Sequence, residues 1–282
     1  LEVHARGKKF AEDMDLDILA RRTPGFTGAD LENLLNEAAL LAARRDKKKV
    51  TMSEAEEAID RVVAGPSKKS RVINDKEKDV VAIHEVGHAL LAKLLPKADP
   101  VHKISVLPRG FALGYTLQLP LEDKYLISRE EILDQVVVML GGRVAEEMIF
   151  GELTSGAHND LEKTTELVRR MVCEYGMSSL GARTFGKPSK QVFLGRDFSE
   201  HKDYGDQTAD MIDKEIDEII RKCYEKAKKL LSKNKDKLIQ ISKDLREKEI
   251  IEGEELDRYF DQIKKEKEPE DKPGIDQGIL FA

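Results

Sequence analysis

A five-residue string, His84-Glu85-Val86-Gly87-His88, falls inside a stretch whose apolar residues recur at helical spacing. Because a helix turns every 3.6 residues, His84 and His88 project from one face, with Glu85 beside them. Two imidazoles one turn apart form the H-E-x-x-H pair that binds zinc, and such a site needs a third ligand. The string therefore requires a fold that buries this helix and brings a distant side chain onto its histidine face.

The same string predicts hydrolytic chemistry. Zinc with three protein ligands keeps an open position for a water molecule, whose pKa falls to roughly 7. Glu85 is the predicted catalytic base, which takes a proton from this water and later passes it to the departing amine. The alternative, two buried histidines satisfied by their neighbours, is disfavoured by the helical context and the apolar flanks.

The third ligand does not follow from the spacing. Leu91 and Leu94 occupy the positions that carry Gly and His in the longer H-E-x-x-H-x-x-G-x-x-H pattern, so a carboxylate is favoured. Three candidates remain open: Glu146, Glu147 and Asp160. Asp160 could equally be a helix-start residue, whose charge complements the helix dipole. His102 and His158 are less favoured, because solvent exposure is the ordinary expectation for both.

Composition restricts the class of protein. The chain has 282 residues, 40% of them hydrophobic, which is enough to bury a core. Its 48 Lys and Arg against 54 Asp and Glu give a net charge of -6 with both signs interleaved, so nucleic acid is not an expected partner. Cys173 and Cys223 lack C-x-x-C spacing and have apolar neighbours, so we expect buried thiols in a reducing compartment.

No apolar run approaches the ~20 residues that a membrane span requires. The longest strongly apolar runs, such as 136–140, are far shorter. The chain starts at Leu1 in a charged segment without a signal-peptide profile, so we expect a piece of a longer protein. Membrane or targeting segments would then lie outside this chain.

Capping signals open the helices of an N-terminal unit, residues 1–65. Thr27 and Asp30 resemble the capping box of one helix, and Ser53 and Glu56 resemble that of a second. Apolar residues at helical spacing follow both boxes, so this unit is expected to be helical.

The second unit is expected to be mostly helical with one small β-sheet. A helix from about Asp75 to Pro96 carries the two histidines, and strand candidates follow at Lys103–Leu107 and Leu113–Leu119. An unpaired edge at the first strand could hold an extended peptide through main-chain hydrogen bonds, although an ordinary strand is an equally good interpretation.

A third capping box, at Ser128 and Glu131, opens a helix that is predicted to continue to Gly151. Gly141 and Gly142 fall inside this helix, where each costs up to ~1 kcal/mol relative to Ala. Close approach of another backbone is the expected reason for both glycines.

Several strings in order resemble the FtsH group of membrane-anchored, ATP-dependent zinc proteases, over about residues 1–265. They are PGFTGAD at 24–30, NEAA at 36–39, HEVGH at 84–88, PVHKIS at 100–105, PRG at 108–110, ALG at 112–114, GGR at 141–143, AEE at 145–147 and VFLGR at 192–196. The first two resemble the helical lid of an AAA+ ATPase domain. The others resemble the protease domain of the family.

The resemblance implies the fold class, which is mainly α, and an order of segments. The segments are a helical AAA+ lid subdomain at 1–65, a linker at 66–74, a mostly helical zinc metalloprotease domain at 75–265 and a charged, disordered tail at 266–282. The family carries its third zinc ligand on the Asp of a T/S-G-A-x-N-D string, which is SGAHND at 155–160 here. Asp160 is therefore implied as the ligand beside His84 and His88. The family usually has Ala where Val86 stands, and the larger side chain is expected to crowd the helix behind the ligands.

The resemblance also implies cofactors and partners. Beside Zn2+, the full-length protein would use ATP and Mg2+, with Gly28 and Ala29 of the lid near the adenine. The phosphate-binding G-x-x-x-x-G-K-[ST] loop does not occur in this chain. The protein would be a homo-hexamer that degrades unfolded or tagged polypeptides at the cytoplasmic face of a membrane, which it reaches through segments outside this chain.

The sequence is compatible with two other functions. A non-catalytic module for hexamer assembly would hold a structural zinc ion with four protein ligands and no open position. A free-standing peptidase for short peptides would need no ATPase. Residues 1–65 argue against it, because a lid has no use without a nucleotide domain.

Overall fold

The computed structural model describes residues 1–65, 74–108, 113–118, 126–186, 203–261 and 263. The helices are α1 Glu2–Ala5, α2 Leu16–Arg21, α3 Gly28–Arg44, α4 Met52–Ala64, α5 Asp75–Leu94, α6 Arg129–Met139, α7 Gly141–Phe150, α8 His158–Cys173, α9 Asp206–Lys233, α10 Lys235–Lys248 and α11 Gly253–Phe260, and the strands are β1 Val101–Ser105, β2 Tyr115–Gln118 and β3 Ile250–Glu252. The predicted mainly α fold with one small sheet is confirmed. The predicted tail, the string at 192–196 and most of the predicted linker lie outside the described residues.

The N-terminal unit packs around α3 and α4. Thr27 and Asp30 form the predicted capping box of α3. The box of α4 is formed by Thr51 and Glu54, so the prediction of Ser53 and Glu56 is wrong by two residues. Val50 is held in an extended bridge with Phe10, so the residue after it is the first that can cap the helix. The apolar core of this unit consists of Leu19, Leu34, Leu35, Ala38, Leu41, Ala42, Val50, Ala55, Ala58 and Ile59.

Helix α5 is the centre of the larger unit. It packs against α6, α7, α9, α10 and the sheet. From Val81 to Leu94 nearly every residue is buried, as expected for a helix that is covered on all sides. The helix begins at Asp75, the predicted start, and Asn74 is its cap. The histidine face of α5 therefore points into the protein.

The predicted single helix from Ser128 to Gly151 is wrong, because it is broken at Leu140 into α6 and α7. The break brings the backbones of α5 and α7 together. A Cβ built on Gly87 would lie 2.6 Å from the carbonyl oxygen of Gly141, and one on Gly141 would lie 2.9 Å from that of Gly87. The expected close approach of another backbone is thus confirmed for Gly141, and a side chain at Gly87 or Gly141 would separate the helices. The expectation is wrong for Gly142, where a Cβ would meet the ring of His84 instead.

The sheet has the order β2-β1-β3, with both pairings antiparallel. Strand β1 begins at Val101, two residues before the predicted start, and it is the central strand. The hypothesis of an unpaired edge at β1 is therefore wrong, and the edges of the described sheet are β2 and β3. Strand β3 was not predicted, because three residues are too few for an alternating pattern to be recognised.

One ion-pair cluster joins the N-terminal unit to the sheet. Nζ of Lys103 on β1 lies 2.8 Å from Oδ2 of Asp60 on α4 and 2.7 Å from Oε2 of Glu252 on β3. Burial acts to lower the pKa of Lys103, but hydrogen bonds to the two carboxylates raise it above its usual value. The lysine is therefore charged and fixes α4 against the sheet.

Two expectations from composition can be compared with the structure. Cys173 and Cys223 are both buried, as predicted. Burial raises the pKa of Cys223 to about 11, so its thiol is unreactive at neutral pH. Within the described ranges, no helix combines the length and apolar character that a bilayer span needs.

Candidate metal centre

The two histidines of α5 face each other across one helical turn. Nε2 of His84 lies 3.0 Å from Nε2 of His88, and the ring centroids are 4.7 Å apart. His88 is buried, with 8% of its surface exposed, and His84 is only slightly more accessible. The helical period thus brings both imidazoles to one point below the protein surface.

The other ring nitrogens are held by hydrogen bonds that fix the ring orientations. Nδ1 of His88 lies 2.7 Å from the carbonyl oxygen of Val138, and Nδ1 of His84 lies 2.6 Å from Oε1 of Glu146. Carbonyl and carboxylate oxygens accept, so both Nδ1 atoms donate. Each Nε2 is consequently directed at the space between the rings, as in most metal-binding histidines.

Asp160 enters this space from α8. Its Oδ2 lies 3.2 Å from Nε2 of His84 and 3.4 Å from Nε2 of His88. A 3₁₀ turn at Ser155–Ala157 precedes α8 and places Asp160 in its first helical turn. From sequence alone, a helix-start role and a place beside the histidines were alternatives for Asp160. In the structure, Asp160 has both.

The other two candidate carboxylates lie elsewhere. Glu146 is 1% exposed and binds His84 on the nitrogen that faces away from Asp160. Burial acts to raise the pKa of Glu146, but hydrogen bonds from His84 and Thr154 lower it, so the carboxylate is ionised. Glu147 instead accepts hydrogen bonds from Tyr224 and Lys228 on α9.

Glu85 lies under strand β2. The hydroxyl of Thr116 lies 2.8 Å from Oε2 of Glu85 and 3.0 Å from its backbone carbonyl oxygen. Gly114 lies near the other carboxylate oxygen, since a Cβ built there would lie 2.9 Å from Oε1. Burial raises the pKa of Glu85, and the charges of the two histidines act against this rise.

The three donor atoms have the spacing of a zinc site. Atoms bound to a tetrahedral zinc ion at 2.0–2.1 Å lie about 3.3 Å from one another. Nε2 of His84, Nε2 of His88 and Oδ2 of Asp160 are separated by 3.0, 3.2 and 3.4 Å. In the described part of the chain, these residues form the group that can hold a metal ion. The residues present therefore fit a zinc ion.

Without a metal, a proton provides the positive charge between these donors. Burial acts to lower the pKa of His84, but hydrogen bonds with Asp160 and Glu146 raise it to about 10. Asp160 is ionised, because its hydrogen bonds to both histidines outweigh burial and lower its pKa. A metal ion would replace the proton on Nε2 of His84, so binding would release a proton.

The remaining sequence candidates lie apart from this cluster or at its margin. His102 and His158 are exposed, as expected. Gly28 and Ala29 are exposed in the first turn of α3. Val86 is fully buried in the core around α5.

Sequence reasoning did not identify Thr116, Thr154 or the carbonyl of Val138. Each acts only through a contact made across the tertiary structure, and none stands at a spacing that marks a function. Glu146 was a candidate ligand because it is a carboxylate. That property alone does not distinguish a residue that binds the metal from one that holds a metal-binding histidine, as Glu146 holds His84.

Comparison with known families adds to this geometry. The model of peptidase family M41 matches residues 71–259, and the model of the AAA+ lid domain matches residues 13–57. The first match contains His84, Glu85, His88 and Asp160 and covers more than half of the chain. The chain belongs to peptidase family M41.

The chain is also similar to bacterial proteins named ATP-dependent zinc metalloprotease FtsH. The chain is 54% identical over 262 residues to the ATP-dependent zinc metalloprotease FtsH of Thermotoga maritima, with 92% of this chain and 43% of that protein covered. It is 57% identical over 258 residues to FtsH 3 of Petrotoga mobilis, covering 91% and 40%. Against FtsH of Bacillus subtilis the identity is 53% over 263 residues, covering 93% and 41%. The chain thus spans about two fifths of the length of these curated relatives.

Proposed function

We propose that this chain is the zinc-dependent endopeptidase part of an ATP-dependent protease, in which His84, His88 and Asp160 bind zinc and Glu85 is the catalytic base. The observation that carries the proposal is the donor spacing of 3.0, 3.2 and 3.4 Å, which suits a tetrahedral ion with one open position. Membership of family M41 and the names of the relatives support the same activity.

Each side chain has a defined part in peptide-bond hydrolysis. A bound zinc ion would polarise the scissile carbonyl and acidify a water molecule. Oε1 of Glu85 would accept a proton from this water, because Oε2 is held by the hydroxyl of Thr116. The same carboxyl group would then donate the proton to the departing amine.

The test is the substitution Glu85→Gln, with casein cleavage and zinc content as readouts. We expect about one zinc ion per chain in both proteins, because Glu85 is not a ligand, and a loss of cleavage of about 100-fold or more. Removal of zinc from the unsubstituted protein with a chelator should abolish cleavage as well. Undiminished cleavage by the variant would remove Glu85 from its role.

The alternative of an assembly module with a structural zinc ion is less well supported. Structural zinc sites have four protein ligands, whereas the group within the described residues contains three. Glu85 is also buried close enough to both histidines for their charges to act on its pKa, which suits a catalytic base. Zinc that remains bound while Glu85→Gln has no effect on cleavage would favour the module.

The activity of the whole protein would extend beyond this chain. We propose that residues 1–65 are the lid subdomain of an AAA+ ATPase, with Gly28 and Ala29 near the adenine, and that ATP and Mg2+ bind at a phosphate-binding loop outside this chain. Residues 66–74 would be the linker, 75–265 the protease domain and 266–282 the tail. Two separate clusters of buried apolar side chains, one on either side of the linker, support the division.

The assembled protein would be a homo-hexamer at the cytoplasmic face of a membrane that degrades unfolded or tagged polypeptides. The lid match and the names of the relatives support an oligomeric ATP-dependent protease acting on polypeptides. Cleavage of a short peptide but not of a folded protein by this chain would agree with the proposal. Equal cleavage of both would contradict the need for an ATPase, and sedimentation analysis would give the oligomeric state.

A further inference from the structure

Thr154 joins two parts of the metal centre. Its Oγ1 donates to Oε2 of Glu146 at 2.8 Å and accepts the backbone N–H of Gly156 at 3.1 Å. Its own backbone N–H donates to the same Oε2 at 3.3 Å. The hydroxyl group therefore donates its single proton to Glu146 and accepts a hydrogen bond from Gly156 at the same time.

We infer that Thr154 is a positioning residue that holds two zinc ligands at once. Through Glu146 it fixes the ring of His84, and through the 3₁₀ turn it sets the position of Asp160. The inference rests on the proposed function, since it assumes that these two side chains bind zinc.

The path to His84 is short and buried. Oε1 of Glu146 lies 2.6 Å from Nδ1 of His84, while Oε2 of the same carboxylate is held by Thr154. Glu146 is 1% exposed, so water has little access to replace a lost partner. A carboxylate held at both oxygens can orient the imidazole in one direction only.

The path to Asp160 follows the backbone. Thr154 caps the 3₁₀ turn Ser155–Ala157, which continues without a break into α8. Asp160 is in the first turn of that helix, so a shift of the cap is transmitted to its carboxylate. The hydroxyl of Thr154 therefore couples the approach of Asp160 to the orientation of His84.

Substitutions at Thr154 can separate the hydroxyl from the shape of the side chain. Valine keeps the β-branched shape, which suits the extended backbone at φ -103 and ψ 166, but it makes neither hydrogen bond. Serine keeps the hydroxyl and loses the methyl group. Thr154 is exposed, so its methyl group contributes little to the core. Thr165→Val is the matched control, because the hydroxyl of this exposed threonine bonds to the carbonyl oxygen of Leu161 in its own helix.

The experiment measures the zinc dissociation constant of the full 282-residue chain by competition with a chromophoric chelator. Thr154→Val should weaken zinc binding about 10-fold or more, as losses of outer partners of metal ligands do. Thr154→Ser and Thr165→Val should stay close to the unsubstituted protein. Thr154→Ala also lacks the hydroxyl and is measured in parallel. If Thr154→Val perturbs the fold, Thr154→Ala can be compared with Thr154→Ser in its place.

A double-mutant cycle tests the route through Glu146. In a Glu146→Gln background, Thr154→Val should weaken zinc binding by a smaller factor than it does alone. Equal factors in the two backgrounds would overturn the route, and unchanged affinity in Thr154→Val, or an equal loss in Thr154→Ser, would overturn the role of the hydroxyl. Failure of the unsubstituted chain to bind zinc would instead overturn the proposed function.

Discussion

Gly142 lies against the ring of His84, so closely that a Cβ built on it would be 2.4 Å from Cε1 and 2.5 Å from both ring nitrogens. No real side chain fits at that distance. The backbone of α7 thus forms a wall behind the imidazole, and together with Glu146 it leaves the ring one position. The second glycine of the Gly141-Gly142 pair is therefore required by the ring of His84, and the first by the contact of α7 with α5.

Gly142→Ala should displace the ring of His84 and weaken zinc binding. Overpacking of this kind costs about 1–3 kcal/mol, so we expect a loss of zinc affinity of about 5- to 150-fold, measured by chelator competition. Gly205→Ala is the control, because a Cβ at Gly205 meets no atom within 4 Å. Equal zinc affinity in both variants would contradict the steric argument.

Asp160→Ala should lower the zinc content below one ion per chain, measured by metal analysis after dialysis. Three donors would be reduced to two, and the pair of imidazoles alone holds zinc weakly. Glu147→Ala is the matched carboxylate control, because Glu147 binds Tyr224 and Lys228 instead of the histidines. An unchanged zinc content in Asp160→Ala would return the choice of third ligand to the other carboxylates.

Thr116→Val should lower kcat while zinc content stays unchanged. The hydroxyl is the hydrogen-bond donor to Oε2 of Glu85, and a hydrogen bond to a charged group contributes about 1.5–3 kcal/mol. If most of this stabilisation acts in the transition state, kcat falls about 10-fold or more. Thr116→Ser, which keeps the donor, should retain most of the activity. A variant that loses zinc together with activity would show that Thr116 supports the fold of the site instead.

Stability of the N-terminal unit should depend on Glu54 in acid. Burial acts to raise the pKa of Glu54, but hydrogen bonds from Lys47, Thr51 and Arg45 outweigh it and lower the pKa to about 2 from its ordinary 4.5. A lowered folded-state pKa contributes stability that is fully present above 4.5 and is lost as the pH falls towards 2. Thermal unfolding should therefore show that Glu54→Gln causes a large loss of stability at pH 7 and a smaller loss of stability below pH ~4.

Glu56→Gln provides the control for this acid series. Glu56 pairs with Arg22 at the surface, where an ion pair contributes about 0–1 kcal/mol. Its effect on the melting temperature should be small at every pH. A loss in Glu54→Gln that does not shrink with falling pH would mean that the glutamate acts through packing and not through its charge.

The site was only partly predictable from the sequence. The pairing of His84 and His88 follows from the helical period, which is a local property of four residues. The selection among Glu146, Glu147 and Asp160 does not, because the three have the same chemistry and differ only in which face of which helix meets α5. The family resemblance implied Asp160, and the structure places that residue's Oδ2 beside both Nε2 atoms.

The fold, like the site, was only partly predictable from the sequence. Helix starts at Thr27 and Ser128 were predictable, because a capping side chain bonds within its own first turn. The break at Leu140 was not, since it depends on the contact between Gly87 and Gly141, which are far apart in the chain.

The sequence alone determined the helical class, the histidine pair and the acidic neighbour Glu85, because these depend on periodicity and on interactions within a turn. Only the tertiary structure decided which carboxylate meets the histidines, that Thr116 and Thr154 hold Glu85 and Glu146, and that β1 is the central strand. The physical reason is that such contacts are selected by how whole helices pack, and packing depends on the complete set of buried side chains rather than on any one motif.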